Sequence, residues 1–538
     1  MTGPALRSPR WLALAPLSFL LLVLVAPVLR LMVEAWSGAV LPSAAHAHDG
    51  LDALSLWHPW GDPYVRWRLL WSALQAALTC GLVLLLGVPV AWVLARFDFA
   101  GRRWVLRALM LPFVVPTLVA AMGVLALWGP QGLWAQAGGR SFEDTPFLLL
   151  YGNVFFNLCV LVRSATDALE QVSASRVAAA RTLGATPWRA FWRIEWPAIL
   201  PWLMSALCLV FLYCFAGFGL ALVLGGQAYA TVEVEIYTLV AYELQLAEAG
   251  VLALWTIGIT GVFALLYAVL ERRLATPLRA DRIPRRAPER AAEWLAVAGA
   301  MAVLVLFCLA PIVAIVSRAA LAGGSAWAVL WEPDTLQALG NTLRFSGVAL
   351  LLATALGLLH ALAARHSAAL RALAFLPLVV SPVLVAFGLL LLYPTWTASV
   401  PLLVAAYALL AYPFVAKSVA SGLDGLPANL LAAARSLGAS PWRAFWRVSW
   451  PLLLPALRRG MAFAAATAVG EFAVTLFLSR PEWATLSTLI YQHLGRPGAA
   501  HLDAALVLAC ALMALALAVF LLIEWPGADM RHPEESHA

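Results

Sequence analysis

Aromatic and basic side chains with helical spacing occur at two places in the chain. In each place a tryptophan, a phenylalanine and a second tryptophan stand at i, i+3 and i+4, which places them on one face of a helix: Trp188, Phe191 and Trp192, and again Trp442, Phe445 and Trp446. Arginines occupy a second face, as Arg189 and Arg193 do in the first copy. The chemistry open to such a surface is non-covalent binding, either of another protein or of lipid headgroups.

The residues around this aromatic face predict two short helices with a break between them. Three small residues, which let another backbone approach closely, precede the break in each copy: Ala178, Ala179 and Ala180, and then Ala432, Ala433 and Ala434. Gly184 and Gly438 then end the first helix, as is typical of the C′ position. Thr186 and Ser440 are placed to cap the second helix, which has proline at its first position. A helix lying among headgroups would explain the tryptophans, but not the same glycine and caps in both copies, so the pattern favours a docking surface.

The rest of the chain is apolar enough to have lipid as its solvent. Of its 538 residues 63% are hydrophobic and only 12% charged, with a mean hydropathy of +0.87, whereas soluble domains are about 25% charged. We predict an all-α polytopic membrane protein, with its first apolar run retained as a span rather than cleaved. Twelve runs approach the spanning length of about 20 residues: 11–29, 69–94, 108–128, 147–162, 201–224, 251–270, 294–316, 345–364, 372–392, 400–416, 461–479 and 504–523.

The placement of lysine and arginine predicts the topology. With the N-terminus inside, only eight of the 35 would lie outside, a bias that the positive-inside rule requires: Arg30, Arg66, Arg68, Arg140, Arg318, Arg344, Arg480 and Arg496. Both termini and both aromatic loops then face the cytoplasm. The net charge of +7 therefore indicates membrane orientation and not nucleic-acid binding.

The repeat divides the chain into two halves. We place them at 1–270 and 294–530, joined by a basic cytoplasmic linker at 271–293, with the aromatic loops near 174–197 and 428–451. Six spans per half return the chain to the same side of the membrane, so the repeat is parallel. Such a duplication predicts a pseudo-two-fold axis along the membrane normal, with a pathway between the halves.

The repeated loop resembles the EAA loop of binding-protein-dependent ABC import permeases. The likeness consists of three small residues, a glycine, an aliphatic residue and a proline, carried here by Ala178, Ala179, Ala180, Gly184, Ile194 and Pro197, and by Ala432, Ala433, Ala434, Gly438, Val448 and Pro451. Both copies have alanine where that family has its name-giving glutamate. The double length resembles the fused permeases for iron(III) and thiamine, and a few segments look closer to the thiamine members.

This resemblance implies a type I importer fold of about 12 helices in two six-helix halves, lying in the bacterial inner membrane. It also implies partners: a pair of ATP-binding subunits that grip the two loops, and a periplasmic solute-binding protein that delivers a small, cationic nutrient. The chain itself would be neither an enzyme nor a cofactor or metal protein. Its single lysine, Lys417, follows no glycine-rich phosphate cradle, so a Walker A loop is missing from the sequence and ATP must be hydrolysed by a partner.

Glu471 is the main candidate for a residue of the transport pathway. It falls near the middle of the predicted span 461–479, next to Gly470, and its repeat counterpart is Gly217. A carboxylate at that depth is costly and functional by default, and it would suit a cationic solute. A structural hydrogen bond to a neighbouring helix explains it equally well. If Glu471 carried protons, the chain would be an ion-coupled secondary transporter instead, which is the alternative function.

Three further patterns leave two interpretations each. His46, His48 and Asp49 could capture a metal, but a flexible loop gives no rigid ligand geometry. An acidic segment could attract a cation or a binding protein, or be a solvated face: Glu233, Glu235, Glu243 and Glu248. Prolines that interrupt paired spans could line a cavity or only kink the helices: Pro112, Pro116, Pro377 and Pro382.

Overall fold

A computed structural model describes residues 10–40, 58–274, 283–396 and 399–524. Within those ranges eleven helices are long and apolar enough to cross a membrane, and a twelfth is added if the pair Ala368–Leu378 and Pro382–Leu392, bent by 91°, forms one span. The predicted all-α polytopic fold is therefore confirmed. The predicted His46, His48 and Asp49 cluster lies outside the described residues. The eleven helices are Trp11–Trp36, Pro63–Arg96, Thr117–Gln136, Phe147–Glu170, Pro187–Phe215, Leu246–Glu271, Ala291–Leu321, Pro333–Ala363, Val400–Asp424, Trp442–Val469 and Ala499–Glu524.

The chain forms two compact units. Of the described residues, the N-terminal unit comprises 32–40, 58–113, 117–274 and 283–324, and the C-terminal unit comprises 10–31, 114–116, 325–396 and 399–524. Shorter helices complete the N-terminal unit: Arg102–Ala108, Ala174–Thr182, Phe218–Leu224 and Val232–Thr238. In the C-terminal unit the shorter helices are Ala368–Leu373, Pro382–Leu392, Ala428–Ser436, Ala473–Leu478 and Leu486–Leu494.

Both units have the same core of three packed helices. In the N-terminal unit Trp196–Phe215 packs against Pro63–Arg96 and Phe147–Glu170, which also pack against each other. In the C-terminal unit the equivalent helices are Trp450–Val469, Pro333–Ala363 and Val400–Asp424. Small residues permit the close approach that packing in a membrane requires. A Cβ atom on Gly87 would lie 2.9 Å from Leu161, and one on Gly357 would lie 2.8 Å from Val415.

Each unit also has a second close helix contact, and in each case one of the two helices comes from a distant part of the chain. In the N-terminal unit Gly123 packs so closely on Pro311 that a Cβ atom would come 2.8 Å from the Pro311 carbonyl oxygen. In the C-terminal unit Gly388 packs on Pro27 in the same way, at 2.9 Å. The first helix thus contributes to the unit built mainly from later sequence, and the helix Ala310–Leu321 contributes to the unit built mainly from earlier sequence.

Several predicted spans have wrong boundaries because helices begin before, and break within, the uncharged runs. The predicted span 201–224 belongs to a helix that starts at Pro187 and ends at Phe215, before Gly217. The predicted span 461–479 likewise begins upstream, since Arg458 and Arg459 lie inside the helix Trp450–Val469. The prolines do interrupt their spans: Thr117–Trp128 begins directly after Pro116, and Pro382–Leu392 begins at its own proline.

The described part of the basic linker is attached to the N-terminal unit. The Arg286 amide donates to the Arg96 carbonyl at 3.2 Å, and the Asp98 amide donates to the Arg286 carbonyl at 2.9 Å. The Arg286 guanidinium pairs with the Glu293 carboxylate at 2.5 Å. These bonds hold the linker beside the loop that follows Pro63–Arg96.

Candidate functional site

The first aromatic loop (residues 174–197) begins with a capped helix and a left-handed turn. Ser173 accepts a hydrogen bond from the Arg176 amide at 3.5 Å, and the helix Ala174–Thr182 follows. Gly184 has φ +84°, a conformation that costs a residue with a side chain roughly 1–2 kcal/mol. The Ala185 amide donates to the Ala180 carbonyl at 3.0 Å, which completes a Schellman motif. The predicted C′ glycine is therefore present.

The second helix of this loop runs without interruption into the membrane. Thr186 accepts a hydrogen bond from the Arg189 amide at 3.3 Å, so it is the predicted N-cap. One wider, π-helical turn over Phe191–Glu195 then joins Pro187–Ala190 to Trp196–Phe215. Pro197 has no N–H to continue the usual pattern, and the Trp196 amide reaches back to the Phe191 carbonyl. The second helix of the loop and the spanning helix are therefore continuous.

The second aromatic loop (residues 428–451) repeats this backbone. Gly438 has φ +78°, and the Ala439 amide donates to the Ala434 carbonyl at 3.0 Å. Ser440 accepts from the Arg443 amide at 3.3 Å. The same wide turn, Phe445–Ser449, leads into Trp450–Val469. Two copies with the same caps, turn and exit form the same local structure.

Both loops present an apolar surface to solvent. Trp188 is 69% exposed and Trp442 is 70% exposed, and each lies 5.5 Å, centroid to centroid, from the second tryptophan of its own loop. Phe191 and Phe445 are half-buried beneath them. The small residues share the surface, because in each loop the first two alanines are exposed and the third is half-buried: Ala178, Ala179 and Ala180, and Ala432, Ala433 and Ala434.

Two exposed leucines, one in each loop between the alanines and the first tryptophan, were missed in the sequence. Leu183 is 88% exposed and Leu437 is 87% exposed, each immediately before the left-handed glycine. In each loop the exposed leucine adds to the exposed tryptophan and alanines of the same short segment, and several exposed apolar residues together are typical of a contact surface. The available signal was a leucine conserved between the two copies within an otherwise polar turn.

The first loop and the residue Glu170 before it are tied to their unit by ion pairs, of which Arg96–Glu195 is buried on both sides. Glu195 accepts a hydrogen bond from the Arg96 guanidinium at 2.7 Å, and both side chains are nearly inaccessible. Glu170, just before the loop, pairs with Arg102 at 2.8 Å and with Arg285 at 3.4 Å. Burial and the neighbouring Arg285 lower the pKa of Arg102, and the Glu170 carboxylate opposes that change. These contacts join the loop and the residue before it to the end of Pro63–Arg96, to the helix Arg102–Ala108 and to the described part of the linker.

Within the described residues, the second loop is held by fewer and more exposed ion pairs. Ser449 stands at the repeat position of Glu195 and is buried. Asp424 stands at the repeat position of Glu170 and binds Arg371 through two hydrogen bonds, of 2.7 and 2.8 Å. That pair is largely in water, with side-chain exposures of 37% and 53%. Exposed pairs contribute roughly 0–1 kcal/mol.

Glu471 lies at a helix break and not in mid-span. The helix Trp450–Val469 ends before it, and its carboxylate accepts a hydrogen bond from the Val474 amide at 3.0 Å, at the start of Ala473–Leu478. Gly470 packs on Pro116, where a Cβ atom would lie 2.9 Å away. The buried carboxylate therefore has a structural partner at the helix break.

Gly217 marks the equivalent break in the N-terminal unit. Trp196–Phe215 ends before it and Phe218–Leu224 starts after it, and a Cβ atom at Gly217 would lie 2.9 Å from the Tyr213 carbonyl oxygen. Both units therefore have a helix break at the same repeat position. Only the C-terminal unit has a carboxylate at its break.

The acidic segment is not a solvated face at two of its four positions. Glu233 and Glu235 are buried on Val232–Thr238. The Glu235 carboxylate lies 3.4 Å from the Arg68 guanidinium and accepts a hydrogen bond from the Tyr64 hydroxyl. Burial raises the pKa of Glu235, while Tyr64 and Arg68 oppose the rise. The solvated interpretation is therefore wrong for this part of the segment.

A family model matches the chain twice. The model describes the binding-protein-dependent transport system inner membrane component, and it matches residues 87–276 and 349–531. Each match includes one aromatic loop and the helices around it. The predicted resemblance to a fused, double-length permease is confirmed.

Several curated proteins are similar over most of the chain. The thiamine transport system permease protein ThiP of Escherichia coli (strain K12) is 29% identical, over 81% of this chain and 85% of its own length. ThiP of Brucella abortus (strain 2308) is 28% identical, over 85% of this chain and 87% of its own length. The sulfate transport system permease protein CysW of Synechocystis is 29% identical, over 48% of this chain and 90% of its own length.

Proposed function

Because the chain belongs to the family of binding-protein-dependent transport system inner membrane components, we propose that it imports thiamine, driven by ATP hydrolysis in separate subunits. In this proposal two ATP-binding subunits each receive one aromatic loop, and a periplasmic binding protein delivers the solute. The N- and C-termini and both loops are cytoplasmic, as the arginine placement predicts.

One observation supports the proposal that the two loops bind the ATP-binding subunits. Two loops in different units keep the same exposed tryptophan, at 69% and 70% exposure, on helices that continue directly into spans. Tryptophan is among the residues that most often dominate binding energy at interfaces. Closure of a pair of motor subunits would move both spanning helices together as rigid bodies.

Thiamine is proposed as the solute because the relatives that span most of the chain are thiamine permeases. The positive thiazolium ring is compatible with a buried carboxylate, and Glu471 is the candidate, with Gly470 and Gly217 forming the two breaks. Sulfate, which the half-length relative transports, would be repelled by that carboxylate. Iron(III) has no comparable support.

The test is reconstitution of the full chain in vesicles, with ATP-binding subunits and a solute-binding protein encoded beside its gene. We expect labelled thiamine, and not sulfate, to accumulate only when ATP is enclosed with the motor subunits. The double variant Trp188→Asp with Trp442→Asp should abolish both subunit binding and uptake. Thiamine accumulation without ATP would refute the proposal.

The ion-coupled alternative depends on Glu471 alone. Its carboxylate is engaged by the Val474 amide, which supplies a structural reason for its presence. A proton-coupled carrier should transport normally in the double tryptophan variant and stop in Glu471→Gln. In the proposed importer, the double tryptophan variant should lose uptake, and Glu471→Gln should weaken thiamine uptake while the remaining uptake still requires ATP.

A further inference from the structure

A groove in the C-terminal unit is lined by two charged residues and by apolar residues from two long helices. Its volume is about 890 Å³, within the range of ligand-binding clefts. One wall is the stripe of Pro333–Ala363 that carries Arg344, Val348 and Leu352, and the opposite wall is the start of Val400–Asp424. These apolar walls begin directly beside Arg344, so the groove has one charged end and one apolar end.

Two opposite charges lie at the charged end. Arg344 is exposed, and Glu482 and Trp483 line the same groove. The Glu482 backbone is fixed in place, because its carbonyl accepts hydrogen bonds from Gln337 at 2.9 Å and from Asn341 at 3.0 Å. A ligand that bears both a negative and a positive group would satisfy both side chains.

The length of the helix Pro333–Ala363 allows Arg344 to lie at the depth of lipid headgroups. From Arg344 to Ala363 the helix rises about 28 Å at 1.5 Å per residue, close to the roughly 30 Å of a hydrocarbon core. Arg365 follows the far end of the helix. With that end at one headgroup layer, Arg344 reaches the other, and Val348 and Leu352 extend from it into the hydrocarbon region.

The repeat indicates that the fold does not require this arginine. Gln337 and Trp67 are equivalent, since each donates to the carbonyl at the same repeat position, Glu482 and Ala228 respectively. Leu74 follows Trp67 by the same number of residues as Arg344 follows Gln337, so Leu74 is the repeat counterpart of Arg344. Leu74 is an exposed apolar residue, as is usual on a lipid-facing helix, so the charge at Arg344 is specific to the C-terminal unit.

We propose that this groove binds one amino-phospholipid, with its phosphate on Arg344, its ammonium group on Glu482 and an acyl chain along Val348 and Leu352. The predicted topology places it in the outer leaflet. An anionic lipid without an ammonium group would satisfy Arg344 but not Glu482, so the site should prefer phosphatidylethanolamine to phosphatidylglycerol. The proposal depends on membrane insertion and is independent of which solute is transported.

The test is native mass spectrometry of the delipidated, full-length chain titrated with each of these two lipids. For Arg344→Gln we expect about tenfold weaker binding of both, because a charge-assisted hydrogen bond to phosphate is lost. Glu482→Gln should abolish the preference for phosphatidylethanolamine without weakening phosphatidylglycerol. Val348→Trp keeps both charges, fills the groove, and should weaken both lipids.

Arg140→Gln is the matched control, since it removes an exposed arginine from the other unit and should bind like the unaltered chain. Gel-filtration elution and helical circular dichroism establish that each variant is folded. Unchanged lipid binding in a folded Arg344→Gln variant would overturn the proposal. So would a preference for phosphatidylethanolamine that survives Glu482→Gln.

Discussion

The two aromatic loops keep one surface and differ in how they are held. Their exposed residues match position by position, from Leu183 and Leu437 to Trp188 and Trp442. Beneath that surface the first loop has the buried Arg96–Glu195 pair, whereas the second has a serine at the glutamate's place. The exposed residues have thus stayed the same in the two copies, while the anchoring beneath them has diverged. The first loop should therefore be the more rigid one.

The largest expected effect tests whether the surfaces are equivalent. Trp188→Asp and Trp442→Asp should each weaken binding of the ATP-binding subunits by roughly a hundredfold, about 3 kcal/mol, as loss of an interface hot spot does. Binding can be measured by surface plasmon resonance on the reconstituted chain. Trp104→Asp is the control, because Trp104 is 71% exposed on a helix outside both loops. A large effect in only one loop would disprove their equivalence.

The second-largest effect is expected from substitutions at Glu195 and Ser449, where the anchoring of the two loops differs. Glu195→Ala leaves the Arg96 guanidinium buried without its carboxylate, which should cost about 2 kcal/mol of local stability. Hydrogen–deuterium exchange of residues 187–197 should accelerate accordingly. Ser449→Ala, the matched change in the second loop, should alter exchange of residues 441–451 by much less. Equal acceleration in both loops would contradict the inferred difference in rigidity.

A smaller effect is expected from substitutions in the left-handed turns, which the two loops share. Gly184→Ala and Gly438→Ala force a side chain into a left-handed conformation, at roughly 1 kcal/mol each. ATP-driven uptake should fall by several-fold, to the same extent in both variants. Gly340→Ala, at a helical glycine with open space around its Cβ position, should be neutral. Unequal losses would indicate that the turns have different roles.

The smallest effect is expected from breaking the ion pairs of Glu170 and Asp424, which precede the two loops. Glu170→Gln removes the partner of both Arg102 and Arg285 and should lower the midpoint of thermal unfolding by a few degrees, about 1 kcal/mol. Asp424→Asn breaks an exposed pair and should cost less than about 0.5 kcal/mol. Differential scanning fluorimetry of the two purified variants measures both. The reverse order would show that the second anchor is the stronger.

Local sequence was sufficient for the class of protein and for the form of the loops. Apolar composition decides the solvent, and the glycine, threonine and serine positions decide the turns, because these depend on neighbouring residues only. The repeat itself was visible as matching residues. The helix breaks at Gly217 and Glu471 could not be predicted from the sequence, because an uncharged run does not reveal where a helix ends.

Sequence by itself determined that the chain enters a membrane, that it is duplicated, and that each copy exposes one aromatic surface. Tertiary structure alone decided which helices pack together: Pro27 contacts Gly388, and Pro311 contacts Gly123. It also decided that Glu195 meets Arg96 and that Arg344 shares a groove with Glu482. The physical reason is that lipid-soluble helices have similar apolar faces, so their partners are selected by close packing and by a few buried or interfacial charges far apart in the chain.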